Sequence, residues 1–91
     1  MLILSQIDLA CANLDLFDEY EEQVLKFLAR YGACIEERLR SADGRTEIHL
    51  LYFPDADALK AYRTDPDRAA LQDTWLRSGA RSAVMEVKRI Q

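Results

Sequence analysis

The chain has 91 residues, 49% hydrophobic and 31% charged, with three glycines and two prolines, which allows one globular domain and excludes disorder and low complexity. A net charge of -4, with basic side chains scattered rather than gathered on one face, leaves no footprint for a phosphate backbone and excludes nucleic acid as a partner. Residues 1–8 lack a basic start and run apolar too briefly for a signal peptide or a membrane span, so a cytoplasmic protein with no membrane partner is expected.

Residues 2–9 are an apolar run with a polar beat at Gln6 and Asp8 and read as a first strand. Over 14–31, Phe17, Tyr20, Val24, Phe27 or Leu28, and Tyr31 recur at helical spacing; Asn13 or Asp15 caps the start and Gly32 stops the helix. Asp15, Asp18, Glu19, Glu21 and Glu22 crowd its first turns, where the helix dipole favours anions, so this acidic cluster needs no metal. Residues 33–40 alternate in polarity and, across a turn at Asp43-Gly44, form a hairpin with a third strand. That strand, Glu47-Ile48-His49-Leu50-Leu51-Tyr52-Phe53, has hardly any polar side, the pattern of a strand buried on both faces. Pro54-Asp55-Ala56-Asp57 opens a second helix carrying Leu59 and Tyr62, with Asp55 and Asp57 read as caps. Thr64-Asp65-Pro66 splits that helix; Leu71, Trp75 and Leu76 form the apolar side of its second half, and Gly79 ends it. Residues 82–90 alternate again as a last strand.

This β-α-β-β-α-β order is the ferredoxin-like arrangement of an α+β domain, a four-stranded antiparallel sheet with spatial order 4-1-3-2 and both helices on one face. Alternation assigns Ile3, Ser5, Ile7, Ile35, Leu39, Ile48, Leu50, Tyr52, Ala83, Met85 and Val87 to the helix side. The open side then carries Leu4, Gln6, Cys34, Glu36, Arg38, His49, Leu51, Phe53, Val84, Glu86 and Lys88, and a single bulge would swap part of the assignment. An apolar patch of that size calls for a cover, so a homodimer is expected, with two sheets face to face and Glu36, Arg38, Glu86 and Lys88 pairing at the rim. Cys11 and Cys34, the only cysteines, read as free, partly buried thiols; the topology sets them too far apart for a bridge within one chain.

Three segments carry a resemblance. Phe17-Asp18-Glu19-Tyr20-Glu21, the Arg30-Tyr31-Gly32-Ala33 helix exit, and Phe53-Pro54-Asp55-Ala56-Asp57-Ala58-Leu59-Lys60-Ala61-Tyr62 with Asp65-Pro66 are together similar to the dimeric α/β-barrel proteins, and within them to the DUF1330 group of small uncharacterised proteins. The chain departs from that group at Tyr52, where a carboxylate is usual, and at Ala33, the second glycine of the group's helix exit. The resemblance implies the barrel-like dimer; relatives in the wider superfamily include cofactor-free monooxygenases of small aromatics, haem-degrading enzymes and stress-response proteins.

His49 is the only histidine. A satisfied structural role is the commoner one for a lone strand histidine, with general base or ligand as the alternative. No spacing of His, Cys, Asp and Glu suggests three convergent ligands, so neither a metal nor a cofactor is expected. There is no GxSxG, no cysteine–histidine motif and no glycine-rich phosphate loop, which removes hydrolases and nucleotide enzymes. Trp75 reads first as core; if a pocket lies between sheet and helices, Trp75, Tyr52, Tyr62, Phe17 and Tyr20 would line it for a small flat molecule, oriented by Gln6, Ser5, His49 or Arg77. Arg77 has a second reading as a helix C-terminal cation. The sequence thus leaves a binder of a small apolar or aromatic molecule, a cofactor-independent monooxygenase or isomerase with His49 as base or donor, and a dimerisation module with a filled core.

Overall fold

The computed structural model describes residues 1–90. Strand β1 (Leu2–Asp8) leads into helix α1 (Leu14–Val24) and a 3-10 segment (Leu25–Tyr31), followed by β2 (Cys34–Arg40), β3 (Thr46–Tyr52), three short helices, α2 (Ala56–Arg63), α3 (Pro66–Ala69) and α4 (Gln72–Ser78), and β4 (Arg81–Val87). The four strands form one antiparallel sheet in the order β2-β3-β1-β4, the expected 4-1-3-2 read from its other edge. The architecture is the ferredoxin-like α+β fold.

Local chemistry accounts for most boundaries. The Asn13 side chain accepts a hydrogen bond from the Leu16 amide at 3.1 Å and starts α1. The expected single helix over 14–31 tightens after Val24 into 3-10 turns, whose three-residue period stacks Leu25, Leu28 and Tyr31 over the core. Asp55 caps α2 and Asp65 caps α3 with Pro66 in its first turn. The second helix therefore breaks at the expected place and once more near Leu71, so that it comes in three pieces. Leu76, expected on its apolar side, is exposed. The last strand ends at Val87 rather than at residue 90.

The buried side chains form two clusters between sheet and helices. Ile3, Leu28, Ala33, Leu51, Phe53 and Tyr62 make one, and Ile7, Leu9, Phe17 and Ala80 the other, with Trp75 packed against the second. Ile3 and Ile7 sit at opposite ends of the same face of β1, and Ser5 lies between them.

The strand pairing corrects the expected faces of β3 and β4. Ile3, Ser5 and Ile7 pair with Leu51, His49 and Glu47, and with Glu86, Val84 and Ser82, so those residues share the helix side. Ile48, Leu50, Tyr52, Ala83, Met85 and Val87 face the open side instead, with Leu2, Leu4 and Gln6. Both faces of β3 are apolar enough that hydrophobicity alone does not rank them, and the side assigned by its purer pattern is the one left without helices. Arg38 and Glu86 consequently leave the expected rim of the open face, and Glu36 reaches Arg89 at 3.5 Å. The thiols of Cys11 and Cys34 are free but exposed, not partly buried.

Gly79 closes α4 in a left-handed conformation (φ 77°) directly against the β1–α1 loop, where a Cβ would stand 3.0 Å from the Cys11 carbonyl oxygen. The Asn13 amide donates to the Ser78 carbonyl at 2.7 Å across the same junction, so the backbones have no room to separate. Gly79→Ala should lower the unfolding free energy by about 1–2 kcal/mol or more, since the left-handed conformation alone costs about that much. Urea denaturation measures it, and an unchanged midpoint would contradict this account of the junction.

Candidate active site

The site begins with a bulge. Ile35 pairs with Leu51, but the next pair is Glu37 with Leu50, so Glu36 is an extra residue and β2 changes phase. On the hairpin side of the bulge Arg38 pairs with His49 and Arg40 with Glu47, while beyond it Ile35 is returned to the helix side opposite Leu51. This register sets two cations on the helix side, next to a carboxylate that is only 2% exposed.

Glu47 uses both oxygens. Its Oε1 accepts from Arg40 Nε at 2.9 Å, and its Oε2 accepts from Arg38 Nε at 3.0 Å and from His49 Nε2 at 2.5 Å. Arg40 also reaches Asp18 on α1 at 2.9 Å, which ties the strand to the helix layer. Burial works against ionising Glu47, but the hydrogen bonds from His49, Arg40 and Arg38 outweigh it and hold the carboxyl below its ordinary range. Burial likewise lowers the pKa of His49, against the pull of Glu47, so the imidazole is neutral at neutral pH. An ionised Glu47 and a neutral His49 assign the proton to Nε2, leaving Nδ1 an open acceptor.

Nδ1 looks toward a second carboxylate, Glu21 Oε2, at 4.0 Å. Glu21 comes from α1, is 4% exposed, and its pKa is pushed up to about 7, chiefly by burial. One of the acidic residues attributed to the helix dipole is therefore interior. Glu21 follows Phe17 and Tyr20 at helical spacing, and α1 turns all three inward with Val24. Glu47 was legible too, because two residues apart on a strand means the same face as His49. Alternation already puts Arg38 on the face of His49 and Arg40 on the face of Arg38; what it does not show is that this face meets the helices and that both arginines converge on Glu47.

Glu21 and His49 line a half-open cavity of about 170 Å³ between the two core clusters. Ile3, Ile7, Val24, Leu51, Phe53 and Trp75 give it apolar walls, and Ser5, Tyr20, Tyr62, Arg68 and Gln72 add polar groups. Ser82 and Val84 of β4 form a solvent-exposed part of the lining, where the helices do not cover the sheet edge. Burial raises the pKa of Tyr20, and that of Tyr62 to about 12, so both phenols stay neutral.

Of the residues singled out in the sequence, His49, Tyr20, Tyr62, Trp75 and Ser5 meet at this cavity. Phe17 is fully buried behind it, with its ring 6.4 Å from that of Trp75, and does not line it. Gln6 and Tyr52 are corrections: both point to the open face, Gln6 on the even-numbered side of β1 and Tyr52 opposite Leu2. Arg77 is a third, exposed in the last turn of α4 and 4.0 Å from Asp73. Among the described residues, no group of three or more His, Cys, Asp or Glu side chains is arranged to hold a metal ion, and no helix is long and apolar enough to cross a membrane.

Fold and site together define a ferredoxin-like domain with a carboxylate–histidine–carboxylate line set into a cavity wall. No protein-family model matches the chain, and no curated protein matches it in sequence. Solved structures do share its fold. SnoaB, a cofactor-independent oxygenase from Streptomyces nogalater, superimposes with a TM-score of 0.73 at 13% identity over 98% of this chain and 93% of that one. Rv0793 from Mycobacterium tuberculosis gives 0.68 at 11% identity over 98% and 96%, and an antibiotic biosynthesis monooxygenase gives 0.63 at 12% over 98% and 100%. At these identities the likeness establishes the fold.

The raised pKa of Glu21 makes stability depend on pH. Its ordinary value is 4.5 and its folded value about 7, so the folded state is favoured fully below about pH 4.5, and this contribution fades as pH rises through 7. The full swing is on the order of 3 kcal/mol. His49, with a lowered pKa, acts the other way and loses stability as pH falls. Glu21→Gln should therefore gain stability over the unmodified protein between pH 5 and pH 8. Denaturation midpoints of the two proteins measured at both pH values test this; a constant difference would mean that Glu21 titrates normally.

Proposed function

We propose that the cavity binds a small aromatic molecule and that Glu21 and His49 move a proton at the bound ring. The observation that carries this reading is the buried pair itself. Nδ1 of a neutral imidazole, oriented by ionised Glu47 on its far side, faces a carboxyl that titrates near neutrality, and both side chains line the cavity. A carboxylate behind a histidine fixes its tautomer and stabilises the imidazolium formed when it takes a proton. A group poised near the working pH is the effective acid or base, and groups so perturbed gather at functional sites. A void of about 170 Å³ suits one substituted ring, since a cavity of about 150 Å³ holds benzene. The void also disfavours a dimerisation module with a solid core.

The reaction most consistent with the site is cofactor-independent oxygenation of a phenolic or hydroquinone-like substrate. His49 takes the phenolic proton and the electron-rich anion reacts directly with dioxygen; one oxygen atom joins a ring carbon and the other leaves as water, giving a quinone. Shared fold with a cofactor-independent oxygenase supports this reading over plain ligand binding, although one fold hosts many chemistries. The finer placement beside the DUF1330 group rests on the Phe17-Asp18-Glu19-Tyr20-Glu21 helix segment, the Tyr31-Gly32 helix exit and the Phe53-Pro54-Asp55 junction with Asp65-Pro66.

The open face of the sheet completes the reading. Leu4, Leu39, Ile48, Leu50 and Met85 share it, and Leu39 and Met85 are each more than half exposed in the single chain. An isologous contact with a second copy covers such a face on both partners. Two exposed, unpaired thiols suit a reducing compartment such as the cytoplasm.

Oxygen uptake with a hydroquinone in air should fall about a hundredfold or more in both His49→Ala and Glu21→Gln, with far-UV circular dichroism unchanged. Undiminished uptake in both would remove these side chains from the chemistry. Sedimentation at high micromolar concentration should show a dimer that Leu50→Glu converts to a folded monomer; a monomeric parent protein would overturn the proposed assembly.

A further inference from the structure

One polar group in the cavity wall has no partner. Arg68 Nε is shielded from solvent and makes no hydrogen bond among the described residues. The side chain lines the cavity and forms no ion pair within 4.0 Å, while its guanidinium carbon stands 4.9 Å from the centre of the Tyr62 ring. An unsatisfied buried donor costs free energy, more so when it belongs to a charged group. It persists where something else holds the side chain in place.

Asp65 supplies that hold. It is 2% exposed, and its Oδ1 accepts from the Asp67 and Arg68 amides at 2.8 and 3.3 Å, fixing the turn from which Arg68 projects. Arg30 Nη1, 3.0 Å from Asp65 Oδ2, and the Tyr31 hydroxyl occupy the same carboxylate from the other side. Asp65 is thereby spent on Arg30, and Arg68 is left without an ion pair among the described residues. The other acidic groups near the cavity do not supply one. Glu47 is taken up by Arg38, Arg40 and His49, and Glu21, with a pKa near 7, feels the charge of Arg68 but is only partly ionised at neutral pH and forms no ion pair with it. Arg63, the remaining charged group in the lining, is a second cation.

We infer that Arg68 selects the cavity's occupant, donating from Nε to an anionic oxygen on the ligand, so that the site takes a single aromatic ring bearing a carboxylate or phenolate rather than a neutral arene. The planar guanidinium, already stacked on Tyr62, meets such an oxygen without losing further freedom. Placed on α3, it fixes one end of the ring while Glu21 and His49 address another. The inference rests on the reading of the cavity as a ligand site and adds the charge of the ligand.

Trp75, the sole tryptophan, lines the cavity and reports occupancy by its fluorescence. Benzoate and its neutral near-isostere benzamide are titrated against the full chain, and 4-nitrophenol is titrated by absorbance to read its bound pKa. Benzoate should bind at least tenfold tighter than benzamide, or bound 4-nitrophenol should acidify by about one unit, according to which oxygen the site prefers. Arg68→Gln should abolish either preference, and Arg68→Lys, which keeps the charge without Nε–H, should restore part of it. No preference in the parent protein, or one that survives Arg68→Gln, overturns the role of Arg68 while benzamide binding upholds the site. If none of the three probes binds, both the ligand site and this inference fall.

Discussion

The molecule is organised around a buried carboxylate. Glu47 lies in a central strand on the helix side, where an ionised group would be prohibitive without compensation. Compensation comes from Arg38, Arg40 and His49, the two arginines standing on the hairpin side of the bulge at Glu36, in register with His49 and Glu47. Removing one partner of such a set leaves an uncompensated charge, whereas an apolar triad of similar volume would often be as stable or more so. Stability alone therefore does not explain why the charges are present. Their effect on His49 does: they orient it, assign its proton and leave Nδ1 open.

That polar centre divides the core. An apolar cluster lies toward each end of the sheet, and the gap between them holds Ser5, Glu21, His49 and the cavity. A small domain buries a modest share of its surface, so a void and buried charges at its middle are a substantial concession. The aromatic contacts around the void help to keep it open: Tyr20 packs against Trp75 at 5.2 Å on one side, and Phe53 against Tyr62 at 5.6 Å on the other.

The two sides of the sheet serve different ends. The helix side carries the buried polar groups and is less pure in its pattern, with Ser5, Glu47 and His49 among the hydrophobes; the open side carries Leu4, Ile48 and Leu50. Judging the faces by apolarity therefore assigned β3 and β4 the wrong way round, and it drew Gln6 and Tyr52 into a pocket they do not reach. Alternation in β1, by contrast, was read correctly, because Ile3 and Ile7 face a single choice against Gln6 and Asp8.

Local signals in the sequence were sufficient for the element order, the sheet topology and the start and stop of the helices, because caps, glycine exits and strand alternation act over a few residues and need no partner. Asn13, Gly32, Asp55, Pro66 and Gly79 each do in the structure what their chemistry implies on the page. They also made the cavity's aromatic lining partly legible, through Tyr20, Tyr62 and Trp75. Only the tertiary structure decided which face of β3 meets the helices, that Glu21 is interior, and that Arg68 stands without a partner. Those outcomes depend on the docking of elements distant in the chain, and the phase of a strand or the environment of a charge is set by neighbours that no local pattern specifies.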